Sequence, residues 1–365
     1  MNKWIVICLA LFLSSCKLNE TDASDQLKTA SGLVNSFPNH ARWFKVITHD
    51  NFDHLQLINP WDSSKLLSEF VLVKSDQTIL PEQFKEIKKI KVPIQSMACL
   101  SGSHFIVAEK LGVFDKITAV GEAQHIGNSN IQNGLQTGEI VSIKFNEQID
   151  PEKALMVNPD IIFTSPYQNS DYSDLEQYGL TVVPFTDYME QDPVGRAEWI
   201  RFMALFFEKE KQADSIVNAI NSEYNRIKNR LIHTNDKPTI YANKPFRGIW
   251  YMPGGNSYVA RIFKDAGASY LWKDDSLSGS LAIDFEVVYN KASEADFWRL
   301  FITRPGPYSY DDLLAEDERF GDFAAFKNKK IIICKTVESE YFEKAGMEPE
   351  LILADLAHIF HPDQF

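Results

Sequence analysis

The sequence predicts an α/β protein with two lobes that are joined by one long helix. Helical and strand-like segments alternate from Pro93 to about residue 187, and a similar alternation restarts after residue 234. Between these halves, apolar residues recur at helical spacing from residue 209 to residue 231. Alternating helices and strands indicate a mostly parallel sheet with helices on its faces. The uninterrupted helical stripe indicates a rigid connection between two such units.

The first sixteen residues have the features of an export signal. Lys3 supplies a short basic start, Trp4 to Leu13 is apolar, and the letters LSSC end the segment at Cys16. An apolar run this short is typical of a cleaved signal rather than of a membrane span. The ending resembles a bacterial lipobox, which predicts lipid attachment at Cys16 and a place on the periplasmic, extracytoplasmic side of a membrane. An ordinary signal peptide with a chance cysteine is the alternative.

The amino-acid composition limits the kinds of molecule that this protein can bind. Residues 17–36 are polar and lack apolar periodicity, so we expect a tether between the anchor and the folded body. A hydrophobic content of 44% supports two cores, and the net charge of −13 argues against nucleic acid or an anionic membrane surface as a partner. Cys99 and Cys334 lie far apart in apolar segments, so we expect two free, buried thiols.

The body begins with β-type alternation between residues 41 and 73, which predicts an N-terminal β-hairpin. The N-terminal lobe is expected to span residues 37–208. It contains three helix-to-strand units, in which HFIVAEKLGVF precedes KITAVG, DPEKALMVN precedes PDIIFTS, and YSDLEQYG precedes LTVVPFT. This order is typical of parallel strands with helical crossovers.

Two helices separate the lobes. Asp192 is placed to cap the first, with Pro193 at its first position, and an apolar stripe predicts a connecting helix over 209–233. The C-terminal lobe, residues 234–365, repeats the helix–strand rhythm. Its segment IDFEVVYNKASEADFWRLFI at 283–302 has the pattern of IDPEKALMVNPDIIF at 149–163. The repetition predicts two lobes of similar build.

Three segments carry a family resemblance: NPDIIFTS at 158–165, DPVGRAEWIRFMALFF at 192–207 and PELILADLAHIFHPDQF at 349–365. With the lipobox, they resemble the substrate-binding proteins of ABC importers, in the class that serves iron–siderophores, haem and cobalamin. The resemblance implies two Rossmann-like lobes, a ligand between them and an importer permease as partner. It also implies a monomer without catalysis or a cofactor. An iron–siderophore chelate is the first expected ligand, with a corrinoid or haem as the alternative.

Ligand-binding residues are expected where strands end, because open α/β sheets bind ligands at the carboxyl ends of their strands. Aromatic rings there suit a large chelate, and arginines suit its anionic groups. Plain N-capping is the alternative role for Ser101, and a solvated surface charge is the alternative for the arginines. One ring of the Trp250–Tyr251 pair is expected in the core, by strand alternation. The expected ligand-binding residues are Ser101, His104, His125, Tyr167 and Tyr188 in the N-terminal lobe, and Arg247, Trp250, Tyr251, Arg304 and Tyr308 in the C-terminal lobe.

Three charged residues have other expected roles. Arg196 and Glu198 suit an ion pair that fixes a helix near the lobe junction. The resemblance implies one surface glutamate on each lobe for docking to the importer, and Glu139 is the expected residue on the N-terminal lobe. On the C-terminal lobe, Asn256 stands where the family's acid is expected.

Two other functions remain open from the sequence. An exported α/β enzyme is disfavoured because no nucleophile elbow, zinc-protease motif, P-loop or dinucleotide fingerprint occurs. A receptor for a bare metal ion needs three or four converging His, Asp or Glu ligands. His104 and His125 could be two of those ligands, but no histidine-rich loop is present.

Overall fold

The computed structural model describes residues 38–123, 126–145 and 148–365. The expected signal peptide, the tether, Cys16 and His125 lie outside these residues. The described elements form two α/β lobes connected by one long helix, and this confirms the predicted fold class.

A four-stranded sheet precedes the first lobe: β1 (Phe44–Thr48), β2 (Phe52–Ile58), β3 (Leu66–Val73) and β4 (Lys88–Lys91). The first three strands form an antiparallel meander, and β4 runs parallel beside β3. The predicted N-terminal hairpin is therefore only part of a larger sheet. The sequence of β4, KKIK, contains one apolar residue, so it carries no clear alternation.

The N-terminal lobe contains a parallel sheet with the strand order β11-β10-β5-β6-β7. Because the strands are parallel, their carboxyl ends meet at one edge of the sheet. In chain order the elements are β5 (Met97–Cys99), α1 (Gly102–Lys110), β6 (Ile117–Val120), α2 (Ser129–Thr137), β7 (Val141–Ser142), β8 (Lys144–Phe145), β9 (Gln148–Ile149), α3 (Pro151–Val157), β10 (Ile161–Thr164), α4 (Ser173–Gln177) and β11 (Val182–Pro184).

Three helices then cross to the second lobe: α5 (Pro193–Ala197), α6 (Trp199–Ala204) and α7 (Glu210–Leu231). Helix α7 has 22 residues and is therefore about 33 Å long. Its apolar stripe is divided between the lobes: Ala213, Val217 and Ile220 pack in the N-terminal core, and Tyr224, Ile227 and Leu231 pack in the C-terminal core. Burial in both cores makes α7 a stiff bridge rather than a flexible linker.

The C-terminal lobe has a parallel sheet with the order β15-β12-β17-β18. If β12 is matched to β5, this is the order of the N-terminal sheet without its last strand. In chain order the elements are β12 (Thr239–Ala242), β13 (Pro245–Phe246), β14 (Ile249–Pro253), α8 (Tyr258–Asp265), β15 (Ser269–Tyr270), β16 (Ser280–Ile283), α9 (Phe285–Ala292), β17 (Phe297–Ile302), α10 (Tyr310–Glu316), α11 (Ala324–Lys327), β18 (Ile331–Lys335), α12 (Tyr341–Lys344) and α13 (Pro349–Phe360).

The aromatic strand β14 does not belong to the parallel sheet. Positive φ angles at Arg247 and Gly248 turn the chain back, so β13, β14 and β16 form a separate antiparallel sheet. Trp250 is fully buried and donates its indole N–H to the Ala242 carbonyl at 2.9 Å. A β-carbon at Gly254 would lie 2.2 Å from the Leu277 carbonyl oxygen, so this position requires glycine.

Arg196 and Glu198 do not pair with each other, which corrects the expected ion pair. Helix α5 ends between them, and their side chains contact different partners. The Arg196 Nε donates to Asp187 at 3.1 Å, whereas the Glu198 carboxylate contacts Arg201 and accepts from the His40 and Ala41 N–H groups at 2.6 and 2.7 Å. Glu198 therefore fixes the first described residues of the chain to helix α6.

The thiols of Cys99 and Cys334 are free, as predicted. Cys99 is buried in the N-terminal core, and Cys334 is half-buried on β18. No helix in the described part of the chain is long and apolar enough to cross a membrane.

Candidate ligand-binding cleft

A cavity of about 630 Å³ lies between the two lobes. Its N-terminal wall is formed by residues that follow β5 and β6, and its C-terminal wall by residues that follow β17 and β18. The carboxyl edges of both sheets therefore face this cavity, where ligands of open α/β sheets are held. The principal lining residues are Ser101, Gly102, Phe105, Gly121, Glu122, Ile126, Gly127 and Lys144 from one lobe, and Thr303, Thr336, Val337, Glu340, Phe342 and Glu343 from the other.

A second cavity of about 390 Å³ also has walls from both lobes. Tyr188, Glu190 and Arg196 contribute from the N-terminal side, and Tyr258 and Phe301 contribute from the C-terminal side. Tyr188 and Glu190 follow β11, Tyr258 follows β14, and Phe301 lies near the carboxyl end of β17. Both of these interlobe cavities are within the usual size range of ligand sites.

Contacts across the cleft hold the lobes close together. Lys110 at the end of α1 pairs with Glu348 at 3.1 Å, and the Arg196 guanidinium lies over the Tyr258 ring, 5.4 Å from its centre. The Glu343 carboxylate accepts from the Gly127 N–H at 3.3 Å. A β-carbon at Gly102 would meet the Glu343 side chain at 2.8 Å, so the start of α1 and helix α12 touch.

The cleft is rich in carboxylates. The described lining of the larger cavity contains three glutamates, Glu122, Glu340 and Glu343, and one cation, Lys144. Glu340 pairs with Lys344 at 2.6 Å. Burial raises the pKa of Glu343, although the Gly127 N–H works in the opposite direction. In the smaller cavity, Arg196 is already paired with Asp187. Cationic or neutral ligand groups therefore suit this cleft better than anionic groups do.

The predicted residues of the N-terminal lobe have different positions. Ser101 lines the larger cavity and Tyr188 lines the smaller one, where its hydroxyl donates to the Pro166 carbonyl. Tyr167 is exposed on the loop after β10 and lines neither cavity. His104 is wholly buried against Phe185, and burial lowers its pKa to about 3. His104 is thus a neutral core residue, because its place in the first turn of α1 points it inward.

None of the five predicted residues of the C-terminal lobe lines either interlobe cavity. Arg247 lies in the β13–β14 turn over the Phe246 ring, and Tyr251 is exposed on the face of β14 opposite to the buried Trp250. Arg304 pairs with Asp312 at 2.7 Å, and the Tyr308 hydroxyl donates to Glu316 at 2.8 Å. Trp250 is held in the core and the other four side chains lie at a hairpin or loop, and a role of these five residues in ligand binding stays a prediction.

The sequence reasoning missed the segment that follows β18. Thr336, Val337, Glu340, Phe342 and Glu343 form much of the C-terminal wall of the larger cavity. The sequence contained the information needed to predict them. They follow the carboxyl end of the strand-like segment KIIIC, just as the predicted ligand-binding residues follow other strands. After β14, the residues that line the smaller cavity include Ser257 and Tyr258 at the start of α8, seven and eight residues beyond the predicted Trp250.

Surface acids occupy equivalent positions in the two lobes. Glu152 lies in the first turn of α3, which is capped by Asp150, and Glu286 lies in the first turn of α9, where Asp284 is at the N-cap. Both glutamates are exposed, and both helices lead into the amino end of a parallel strand, so they begin near the carboxyl, cleft-facing edge of their sheet. Glu139 is also exposed but lies just before β7, at the opposite edge.

Within the described residues, no group of three or more His, Cys, Asp or Glu side chains could hold a metal ion. The two α/β lobes, their rigid bridge and the polar cleft between them are the architecture of a two-lobed binding protein. The family model described as "Periplasmic binding protein" matches residues 97–337, and the chain belongs to this family. It is a solute-binding protein rather than an enzyme.

Relatives and solved structures agree with this assignment. An uncharacterized lipoprotein of Methanocaldococcus jannaschii is 25% identical over 353 residues, covering 89% of this chain and 82% of the relative. An Fe3+-hydroxamate transport protein of Saccharomonospora viridis has a similar fold, with a TM-score of 0.57 and 15% identity over 73% of this chain and 93% of that one. The vitamin B12-binding protein BtuF of Vibrio cholerae has a TM-score of 0.54 and 13% identity over 74% and 98% of the two chains.

Glu190, beside the smaller cavity, makes the stability of the fold depend on pH. Its carboxylate accepts from the Arg42 N–H at 2.9 Å and from the Trp199 indole at 3.1 Å, but burial raises its pKa from 4.5 to about 7. The folded chain therefore binds this proton more tightly than the unfolded chain does. The resulting stability is complete below about pH 4.5 and is lost as the pH rises through about 7.

We therefore expect the free energy of unfolding to fall between about pH 5 and pH 8, and Glu190→Gln to remove roughly 3 kcal/mol of that fall. Urea unfolding at a series of pH values measures the slope. Glu223→Gln, on an exposed glutamate of α7 paired with Arg226, is the control and should leave the slope unchanged. An identical slope in wild type and Glu190→Gln would contradict the assignment.

Proposed function

We propose that this chain is a lipid-anchored receptor that captures a metal chelate between its lobes and delivers it to an ABC importer. Family membership supports a solute-binding role, and the interlobe cavity of about 630 Å³ has the size of a site for a compact chelate. An anchor at Cys16 fits the relative in Methanocaldococcus jannaschii, which is described as a lipoprotein. The protein would then work on the periplasmic side of the membrane, as a monomer tethered by residues 17–36.

The ligand class follows from the charge of the cleft. Three glutamates and one lysine line the larger cavity within the described residues, and Arg247 and Arg304 lie elsewhere. An anionic ligand would meet like charges at low dielectric, which disfavours a ferric tris-catecholate or the propionates of haem. A neutral or cationic iron chelate of the hydroxamate type avoids this penalty. This carboxylate lining is the observation that carries the proposed ligand.

A corrinoid is the second candidate. Its large ring would need more room than one compact chelate, and the smaller interlobe cavity of about 390 Å³ is lined by the aromatic residues Tyr258, Phe301 and Tyr188. Aromatic side chains bury a large flat ligand at little entropic cost. A titration that includes cyanocobalamin separates the two candidates.

The ligand class can be tested by titrating tryptophan fluorescence with chelates of different charge. We expect a cationic ferric trihydroxamate to bind at least tenfold more tightly than a trianionic ferric tris-catecholate, about 1.4 kcal/mol. Glu343→Gln should weaken the cationic complex about fivefold, because one carboxylate of the wall is lost.

Glu338→Gln is the matched control for this experiment. Glu338 lies in the same segment but pairs with Lys335 at 2.9 Å and does not line the cavity. Its replacement should leave the affinity unchanged. Tighter binding of the tris-catecholate than of the trihydroxamate would contradict the proposed ligand class.

For docking to the importer, we propose Glu152 and Glu286 in place of Glu139. The resemblance implies one acid on each lobe, and these two are exposed at equivalent helix starts near the cleft-facing edge. Within residues 38–123, 126–145 and 148–365, the one ion pair of Glu286 is a long contact to Arg319 at 3.7 Å, so its exposed carboxylate can face a partner. Two equivalent acids fit a partner that presents one basic site to each lobe.

We expect Glu152→Arg and Glu286→Arg each to reduce stimulation of the importer's ATPase at least tenfold in reconstituted vesicles while ligand affinity stays unchanged. Surface charge reversals change association more than they change the fold. Glu139→Arg is the control, because Glu139 is an exposed glutamate of the same lobe at the opposite sheet edge. Full stimulation by the Glu152 and Glu286 variants, with loss in the Glu139 variant, would return the docking role to Glu139.

A further inference from the structure

A third cavity of about 490 Å³ lies outside the cleft, between strand β18 and helix α13. It shares no lining residue with either interlobe cavity. Its surface is mainly apolar, with Ile332 on the strand and Ile352, Leu356 and Ile359 on the helix. We call this space the β18 groove. Its role is independent of the ligand proposed for the cleft.

The β18 groove is open because β18 is an edge strand. In the other lobe, the equivalent edge strand β11 lies beside β3 of the N-terminal sheet, and Lys88 donates to the Leu180 carbonyl at 3.0 Å. The described part of the chain provides no such neighbour for β18, which pairs only with β17. All five residues of β18 are half-buried, so the apolar floor remains accessible.

Arg299 lies at the floor of the β18 groove. It is on β17 in register with Ile332, and Phe301 is in register with Cys334, so these side chains share the sheet face that α13 covers. The Arg299 guanidinium stacks over the Phe301 ring at 4.4 Å and the Tyr341 ring at 5.1 Å. Aromatic faces favour its charge but satisfy none of its N–H donors.

Arg299 is only 5% exposed, yet among the described residues it has no carboxylate within 4.0 Å. A buried guanidinium normally has an anionic partner, because an uncompensated buried charge is unfavourable. The other charges at the groove are either paired within the protein or on its exposed rim. The pairs are Lys335 with Glu338, Lys344 with Glu340 and Glu348 with Lys110, and the rim residues are Asp355 and His358.

From this arrangement we propose that the β18 groove binds an amphiphilic carboxylate, such as a medium-chain fatty acid. The carboxylate lies on Arg299, and the chain lies along Ile332, Ile352 and Leu356. A guanidinium grips a carboxylate by two parallel hydrogen bonds, while the apolar walls select a hydrocarbon body. The volume of about 490 Å³ is within the range of small-molecule sites.

Cys334 provides a local reporter for this site. Its thiol is half-buried in the groove, and burial raises its pKa while the neighbouring Arg299 lowers it. Cys99 is fully buried in the other lobe and serves as an internal reference. The alkylation rate of Cys334, measured on the full chain by mass spectrometry of its peptide, reports occupancy of the groove.

We expect saturating octanoate to slow alkylation of Cys334 at least fivefold. Octanol and octylammonium at the same concentration should slow it less than twofold, because neither carries the anion. Arg299→Met should remove the protection by octanoate. Arg304→Met, on an exposed arginine of the same lobe outside the groove, and Glu343→Gln, in the cleft, should retain it.

Two results would overturn the proposal. Equal protection by octanol and octanoate in the wild type would show that Arg299 selects no anion, and this comparison needs no folded variant. Full protection by octanoate in Arg299→Met would place the carboxylate elsewhere.

Discussion

The close approach of the two lobes at the cleft depends on Arg196, whose side chain contacts both of them. Its Nε donates to the buried Asp187 at 3.1 Å in the N-terminal lobe, and its guanidinium lies 5.4 Å from the centre of the Tyr258 ring in the C-terminal lobe. Burial is the largest single effect and opposes the charge, but Asp187, Tyr258 and Tyr341 together outweigh it, and the pKa of Arg196 is raised. A β-carbon at Gly346 would lie 2.9 Å from the Arg196 Nε, so the C-terminal lobe approaches it as closely as glycine allows.

Helix α7 also limits how far the two lobes can move apart. Because one half of its apolar stripe is buried in each core, the lobes cannot separate far without exposing Ile220 or Tyr224 to water. The matched strand order of the two sheets brings both carboxyl edges to the same interface. The result is a cleft with walls from both lobes and little scope for opening, and its carboxylates are the basis of the ligand charge that we propose.

Periodic patterns allowed much of the fold to be predicted, because burial of one face imposes them directly. The stripe of α7 and the capped helices at Asp150 and Asp192 are local features that the structure contains. Contacts between residues that are distant in sequence produce no such periodic pattern, so they could not be predicted from it. Strand alternation predicted that one ring of the Trp250–Tyr251 pair is in the core, and Trp250 is, but the turn at Arg247 and Gly248 that places β14 in a separate antiparallel sheet left no periodic signal.

The site was predicted less well than the fold, for a similar reason. The rule that ligands bind at strand ends placed Ser101 and Tyr188 at cavities, but it does not state which way a side chain points. His104, one turn into its helix, points into the core. Glu343 reaches the cleft only because α12 lies against the start of α1, which is a contact between segments more than two hundred residues apart.

We propose that ligand contacts both lobes at the carboxyl edges of their sheets. Hydrogen–deuterium exchange of the full chain, with and without a saturating cationic ferric trihydroxamate, tests this contact. We expect slower exchange in two segments, 101–105 in the N-terminal lobe and 336–343 in the C-terminal lobe. Binding that slows exchange in only one lobe, or in neither segment, would contradict it.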